Sequence, residues 1–320
     1  MHAHANSTLA GVDHGATMKA IDQINKLIAP FRMELLFFLS GLLVNKGLNK
    51  GRTIYNIGKI KYILFPFLLW SLFIFLLKEG KSIIFNHATA VNWYYLVSIP
   101  VGSTDLTWFL HNIFIFYMIT PALLSSKPIP ILLTCLLVSY FFPHEWHIGL
   151  PGVNYPFINN LFYFFIFFYI GALSQNNGLI NRIITCNTAG ILSFISTAIV
   201  FTITWQLEKE PTWPIYAPFV LCSFILILRA AKTIGNKPYF KPLNFMGVNS
   251  LIFYLVHFPA QVVIGYFLCK IIGEGPILFA ILLCLGIGIP ITVIALKNRI
   301  PFLSLAFSAE IKKSKSQHSA

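Results

Sequence analysis

Residues 276–296 read PILFAILLCLGIGIPITVIAL, 21 positions without one charged side chain, and Lys297-Asn298-Arg299 follow at once. About 20 apolar residues carry an α-helix across the hydrocarbon of a bilayer. Working outward, eight more apolar runs appear, at about 31–45, 60–77, 107–125, 129–143, 157–174, 183–205, 214–230 and 248–269. The composition agrees. The 320-residue chain is 57% hydrophobic and 10% charged, whereas a soluble domain carries roughly a quarter charged residues. So few charges cannot coat a water-facing surface, and the 31 phenylalanines suit lipid-facing helices and interfacial belts. The expected fold is all-α, a polytopic transmembrane bundle of about nine spans. The runs at 31–45 and 129–143 are short, and either tilt little or extend into neighbouring residues.

Charge placement tests this parse, because Lys and Arg concentrate in cytoplasmic segments. With the 45–61 segment inside and alternation from there, all but seven of the 23 basic residues fall inside. The seven are Lys19, Lys26, Arg32, Lys78, Lys81, Lys209 and Lys270. Of the ten acidic residues only Glu310 is inside. The C-terminus is then cytoplasmic and the N-terminus outside. Residues 1–27 hold no signal peptide and no useful apolar run, so either this short tail crosses on its own or a further span precedes it. The net charge of +13 serves topology. No basic patch with interleaved aromatics stands free of the spans, so no nucleic-acid partner is expected. Three regions follow: a 1–28 extracytoplasmic tail, a 29–300 transmembrane domain, and a basic, disordered 301–320 cytoplasmic tail near anionic lipid.

The cysteines, 135, 186, 222, 269 and 284, lack metal-ligand spacing and read as small apolar filler. His2, His4, His14 and Asp13 sit in an unconstrained tail, so no metal is expected there. Polar residues at membrane depth are functional candidates. Arg32 and Glu34 sit at the outer end of the first visible span, with the small residues Ser40 and Gly41 deeper, where helices approach closely. Trp108, His111 and Asn112 mark the outer end of another span. Ser250, Tyr254 and His257, at spacings of four and three, fall on one helical stripe. A packing face, an aromatic belt and a satisfied core histidine account for these groups as well as chemistry does. Composition leaves a membrane enzyme and a transporter level. In a transporter or flippase, Arg32, His111 and His257 would line the path, although no inverted repeat or matched pair of broken spans is present.

Four stretches break the tie. Ala29-Pro30-Phe31-Arg32-Met33 followed by Leu36-Phe37-Phe38-Leu39-Ser40-Gly41 resembles the signature of the acyltransferase-3 family of membrane O-acyltransferases, which includes the polysaccharide O-acetylases. Lys59-Ile60-Lys61-Tyr62-Ile63-Leu64-Phe65-Pro66 resembles its basic pair before a Pro-bearing span. Thr107-Trp108-Phe109-Leu110, running to Phe116-Tyr117, resembles its Trp-led motif. Gly247 through His257 resembles its near-C-terminal motif. The likeness runs in family order from about residue 29.

The resemblance implies transfer of an acyl group, acetyl, from a cytoplasmic acyl-CoA such as acetyl-CoA to a hydroxyl of a glycan or cell-envelope saccharide. The enzyme would be multi-pass in the inner or plasma membrane. Acetyl-CoA is the donor substrate and no cofactor is bound. Arg52, Lys59 and Lys61 would form the acyl-CoA entry, with Lys where many members have Arg. An alcohol needs a base to attack at neutral pH, and family position assigns His2 or His4. Arg32, Trp108 and Ser40 are candidates for the developing oxyanion, with His111, Tyr254 and His257 in support. The family has ten spans, and its first carries the catalytic His with an Arg upstream. This chain begins where that span should end, so a truncated, inactive member is the other expectation. The bilayer is the remaining partner, and the oligomeric state is open.

Overall fold

The structure is a computed structural model and describes residues 16–86, 91–101, 107–142, 157–174, 179–207, 213–235, 237–273 and 275–309. Every regular element among them is helical. The helices are α1 (Ala16–Gly41), α2 (Val44–Leu48), α3 (Arg52–Lys59), α4 (Phe65–Asn86), α5 (Trp93–Val97), α6 (Trp108–Leu123), α7 (Pro128–Phe141), α8 (Phe157–Ser174), α9 (Leu179–Thr185), α10 (Asn187–Leu207), α11 (Tyr216–Ile234), α12 (Lys241–Val248), α13 (Ser250–Ile272) and α14 (Pro276–Arg299). The all-α expectation holds.

Six helical runs are long and apolar enough to cross a membrane: Gln23–Leu48, Arg52–Gly80, Asn187–Gln206, Tyr216–Ile234, Ser250–Ile272 and Pro276–Lys297. Trp108–Leu123, Pro128–Phe141 and Ile158–Ser174 are apolar but shorter. Each of the nine coincides with a run found in the sequence.

Boundaries differ in three places. α1 starts well before residue 31 and crosses residue 28, with Pro30 inside it. Pro30 reads as a stop in sequence because proline removes a helical donor. Inside an apolar bundle the freed groups are satisfied by neighbours and the helix continues. The segment expected as a loop at 45–61 is largely helical. Gly51, at φ 96, turns the chain in the left-handed region that glycine tolerates, and α3 begins at Arg52. Between α3 and α4, Ile60–Leu64 winds as a π-helix just ahead of Pro66. Proline leaves a carbonyl one turn upstream without its donor, and a wider turn absorbs the mismatch.

The chain forms two compact units. The first comprises residues 26–60 and 92–240, where α10 packs on α11, α7 and α6 on α8, and α2 and α3 on α6. Its core is aromatic: Phe37, Phe116, Phe167, Phe168, Tyr163 and Tyr169 are fully buried. The second comprises residues 1–25, 61–91 and 241–320 and is centred on the α13–α14 pair. There the 3₁₀ turn Pro301–Ala306 packs on α4 rather than hanging free. Trp70 Nε1 donates to Ala306 O at 2.6 Å, Ala309 N–H to Lys61 O at 3.0 Å, and Phe307 lies against Trp70. The tail expected from 301 is therefore packed as far as 309. The remaining basic residues lie outside the described set.

Candidate functional site

The first unit gathers most of the candidate residues, and one close helix crossing places them. A methyl on Gly41 would run into Phe168 O and stand 3.0 Å from Ala172 N. A methyl on Gly171 would run into Phe38 O and stand 3.3 Å from Gly41 Cα. The backbones of α1 and α8 therefore touch, the small-residue contact that membrane helices use. It is the role Gly41 was expected to have.

One turn back on α1, Phe37 is wholly buried. Its ring meets Phe109 at 4.7 Å, Phe116 at 5.2 Å, Phe164 at 4.9 Å and Trp108 at 6.3 Å. Trp108 also lies 5.4 Å from Phe164. The first residue of α6 is thus held by rings from α1 and α8. Offset and edge contacts of this kind add about 0.5–1.5 kcal/mol each beyond burial.

On α1, Arg32 is exposed and Glu34 is buried at 1% exposure. Two helical steps turn a side chain through about 200°, so these neighbours leave on opposite sides. Glu34 Oε2 has no hydrogen-bond partner, which for a buried acceptor costs about 1–3 kcal/mol. On α6, His111 Nε2 donates to Pro100 O at 2.7 Å, and Nδ1 stands 3.4 Å from Asn112 Oδ1. A neutral ring that donates from Nε2 presents Nδ1 as an acceptor. Turning the Asn112 amide over then lets its NH₂ donate to Nδ1, and gives Nδ2, otherwise orphaned, a partner. Both ring nitrogens of His111 are engaged.

A second cluster lies deeper. Ser40 Oγ donates to Leu36 O in its own helix at 2.7 Å, while Ser40 O accepts from Tyr117 Oη at 2.8 Å. Tyr117 O in turn accepts from Tyr55 Oη at 2.9 Å. Both tyrosines are buried, and the Tyr55 ring leaves so little room that a methyl on Gly47 would stand 2.8 Å from it. Over them lies Lys59, its Nζ 3.3 Å from the Tyr117 ring centroid and 5.2 Å from that of Tyr55. Lys59 is half-buried and no described carboxylate pairs with it. A desolvated cation–π contact contributes about 2 kcal/mol, and removing an ammonium from water costs several. The tyrosines alone leave this charge under-compensated. Arg52, exposed, opens the same helix.

Tyr254, His257 and Lys61 belong to the second unit. His257 is buried, and Nδ1 donates to Phe253 O at 2.6 Å. Tyr254 and Lys61 are half-buried. His2 and His4 lie outside the described residues, as do His14 and Asp13. Among the described residues, no three His, Cys, Asp or Glu side chains converge as metal ligands. An apolar cavity of about 330 Å³ between α6, α7 and α8 offers only Thr134 and Cys135 as polar lining.

Neither Tyr55 nor the tie between Tyr117 and Lys59 stands out in the sequence. Tyr117 stood in the Trp-led motif without a role, and its partner is distant in the chain. Its only signal is a tyrosine within the apolar stretch 113–119.

A family model described as an acyltransferase domain matches residues 2–295. No curated protein and no solved structure matches the chain.

Proposed function

The chain belongs to the acyltransferase-3 family, and from that premise we propose that it is a multi-pass O-acyltransferase of the inner or plasma membrane. It moves an acetyl group from acetyl-CoA to a hydroxyl of a glycan or envelope saccharide. The observation that carries the reading is the family match over nearly the whole chain, on a set of apolar helices long enough for a membrane. The same match is the reason to prefer an enzyme to a carrier. Nine spans, with the N-terminus outside and the C-terminus cytoplasmic, are part of the proposal.

The acceptor hydroxyl gives its proton to the imidazole of His2 or His4, and its oxygen attacks the thioester carbonyl. Arg32 and the Trp108 indole N–H supply donors for the oxyanion. Ser40 has its hydroxyl turned back on Leu36 O, and acts by carrying Tyr117 on its carbonyl. The C–S bond then breaks, and the CoA thiolate leaves with the proton returned from the imidazolium. Arg52, Lys59 and Lys61 meet the phosphates of the donor as point charges or forks. His111 braces the start of α6, which carries Trp108, through Pro100 O, and Tyr254 and His257 support the packing of the second unit.

The test uses membrane vesicles, acetyl-CoA and an acceptor saccharide. The expected result is release of CoA thiol with acetyl ester on the saccharide, and loss of both in Arg32→Ala and Trp108→Ala although the protein is still inserted. Full activity in both variants would remove these residues from the site. Saccharide movement without CoA release would replace the enzyme with a carrier.

A further inference from the structure

Lys59 is the unusual cation of the first unit. Most basic residues of a membrane protein end in water at a helix terminus. Lys59 sits seven residues into the run that starts at Arg52, a rise of about 10 Å. Its Nζ lies on the face of Tyr117 at 3.3 Å with Tyr55 at 5.2 Å, and no described carboxylate neutralises it. The platform is fixed from below. Tyr55 Oη is pinned to Tyr117 O, and Tyr117 Oη to Ser40 O. Rings locked in this way hold a flexible four-carbon amine in one place.

We propose that Tyr117 and Tyr55 are positioning residues that hold Lys59 as a socket for the pyrophosphate of the acyl-CoA donor. This rests on the acyl-CoA reading above. The donor carries phosphoryl groups at two levels: the 3′-phosphate on the ribose, and the pyrophosphate from which the pantetheine arm continues. Arg52 is exposed at the start of α3 and Lys59 about 10 Å further along the helical run. The group that leads into the protein meets the deeper cation. From Tyr117 to Trp108 the rise along α6 is about 13–14 Å, the direction in which the arm carries the thioester towards Trp108.

The experiment measures binding, not turnover. Purified protein in nanodiscs is titrated with CoA and with 3′-dephospho-CoA, for wild type, Lys59→Met, Tyr117→Leu, Tyr117→Phe and Tyr55→Leu. Thermal unfolding of each variant is recorded beside it. Lys59→Met is expected to weaken both ligands by roughly tenfold to a hundredfold, the loss of a charge-assisted contact. Tyr117→Leu is expected to weaken both by about tenfold. Tyr117→Phe keeps the ring face but frees it from Ser40 O, and is expected to lose less affinity than Tyr117→Leu even where its midpoint falls as far. A merely structural tyrosine would give the opposite order, with affinity following the unfolding midpoint rather than the presence of a ring. Tyr55→Leu gives a smaller loss, in line with the longer distance. The inference is overturned if CoA binds wild type and these variants alike. It is also overturned if only CoA, and not 3′-dephospho-CoA, responds to Lys59→Met, since the 3′-phosphate is then the group bound. Absence of CoA binding to wild type would instead bring down the acyl-CoA reading itself.

Discussion

Cys186 stands between α9 and α10 with its thiol exposed. Its Sγ lies 2.9 Å from Thr188 Oγ1. That hydrogen bond first, then backbone N–H groups at the start of α10 and the Arg229 guanidinium, hold the thiol below its ordinary pKa. Each of these favours the thiolate, and the thiolate is the reactive form. A group with a depressed pKa reaches its charged form earlier as pH rises. Alkylation of Cys186 should therefore begin at lower pH than that of a free thiol such as glutathione. Thr188→Val removes the largest cause and should move the rate profile up in pH. Rates measured with a water-soluble maleimide between pH 6 and 9 check this, and coincident profiles for the two proteins would refute it. The sequence marked Cys186 only as apolar filler, because the hydroxyl and guanidinium that surround it come from a helix start and from α11. Arg32 and Glu34 teach the same lesson. Their order in the chain was visible, but only the folded packing decides which of the two is sealed inside.

The α1–α8 crossing and the α10–α11 pair place glycine against different neighbours, so the same substitution should have different costs. At Gly41 and Gly171 an added methyl meets backbone, which cannot step aside without parting the helices. Overpacking of a tight core costs about 1–3 kcal/mol, and Gly41→Ala and Gly171→Ala should lie at or above that. At Gly190 the methyl meets the tip of Arg229, whose guanidinium donates to Cys186 O. That side chain can swing away, so Gly190→Ala should cost no more than the hydrogen bond it displaces, about 1.5–3 kcal/mol at a charged group, less the helix propensity gained. Unfolding midpoints in detergent should fall further for Gly41→Ala than for Gly190→Ala. The double variant Gly41→Ala/Gly171→Ala should lose less than the two single losses added, because helices already parted admit the second methyl. An additive pair would mean that the two glycines do not share one contact. Ser40-Gly41 was legible in sequence as a small-residue face, and the nine apolar helices were legible as runs. The start of α1 was not, since Gln23, Asn25 and Lys26 dilute its first turns and Pro30 punctuates it. α3 was hidden for a related reason: its polar residues read as loop, and only contacts with α2 and α6 make it a helix.

At the scale of the whole molecule the question is which ends of the helices face the cytoplasm, and the proposed orientation rests on charge placement alone. Moving all but seven of 23 basic residues to one side is the signature that the insertion machinery reads. The proposed topology puts the segment around Arg182 and Cys186 inside and the segment around Lys209 outside, on either side of the α10 run. The two positions make a pair of reporters. In a variant whose other cysteines, 135, 222, 269 and 284, are replaced by alanine, Cys186 should react with an impermeant maleimide in inside-out vesicles and be protected in right-side-out ones. With Cys186 also replaced and Lys209→Cys introduced, the pattern should reverse. The exposed, acidic thiol at 186 makes its arm of the test sensitive, so protection there reflects the bilayer and not a sluggish nucleophile. If both reporters label from the same side, α10 does not cross, and the alternation on either side of it shifts by one. If both label but from the opposite sides to those expected, the bundle is inverted. The Lys59 socket would then face away from the cytoplasmic acyl-CoA pool, and the positively charged helix ends would need a reason other than topology.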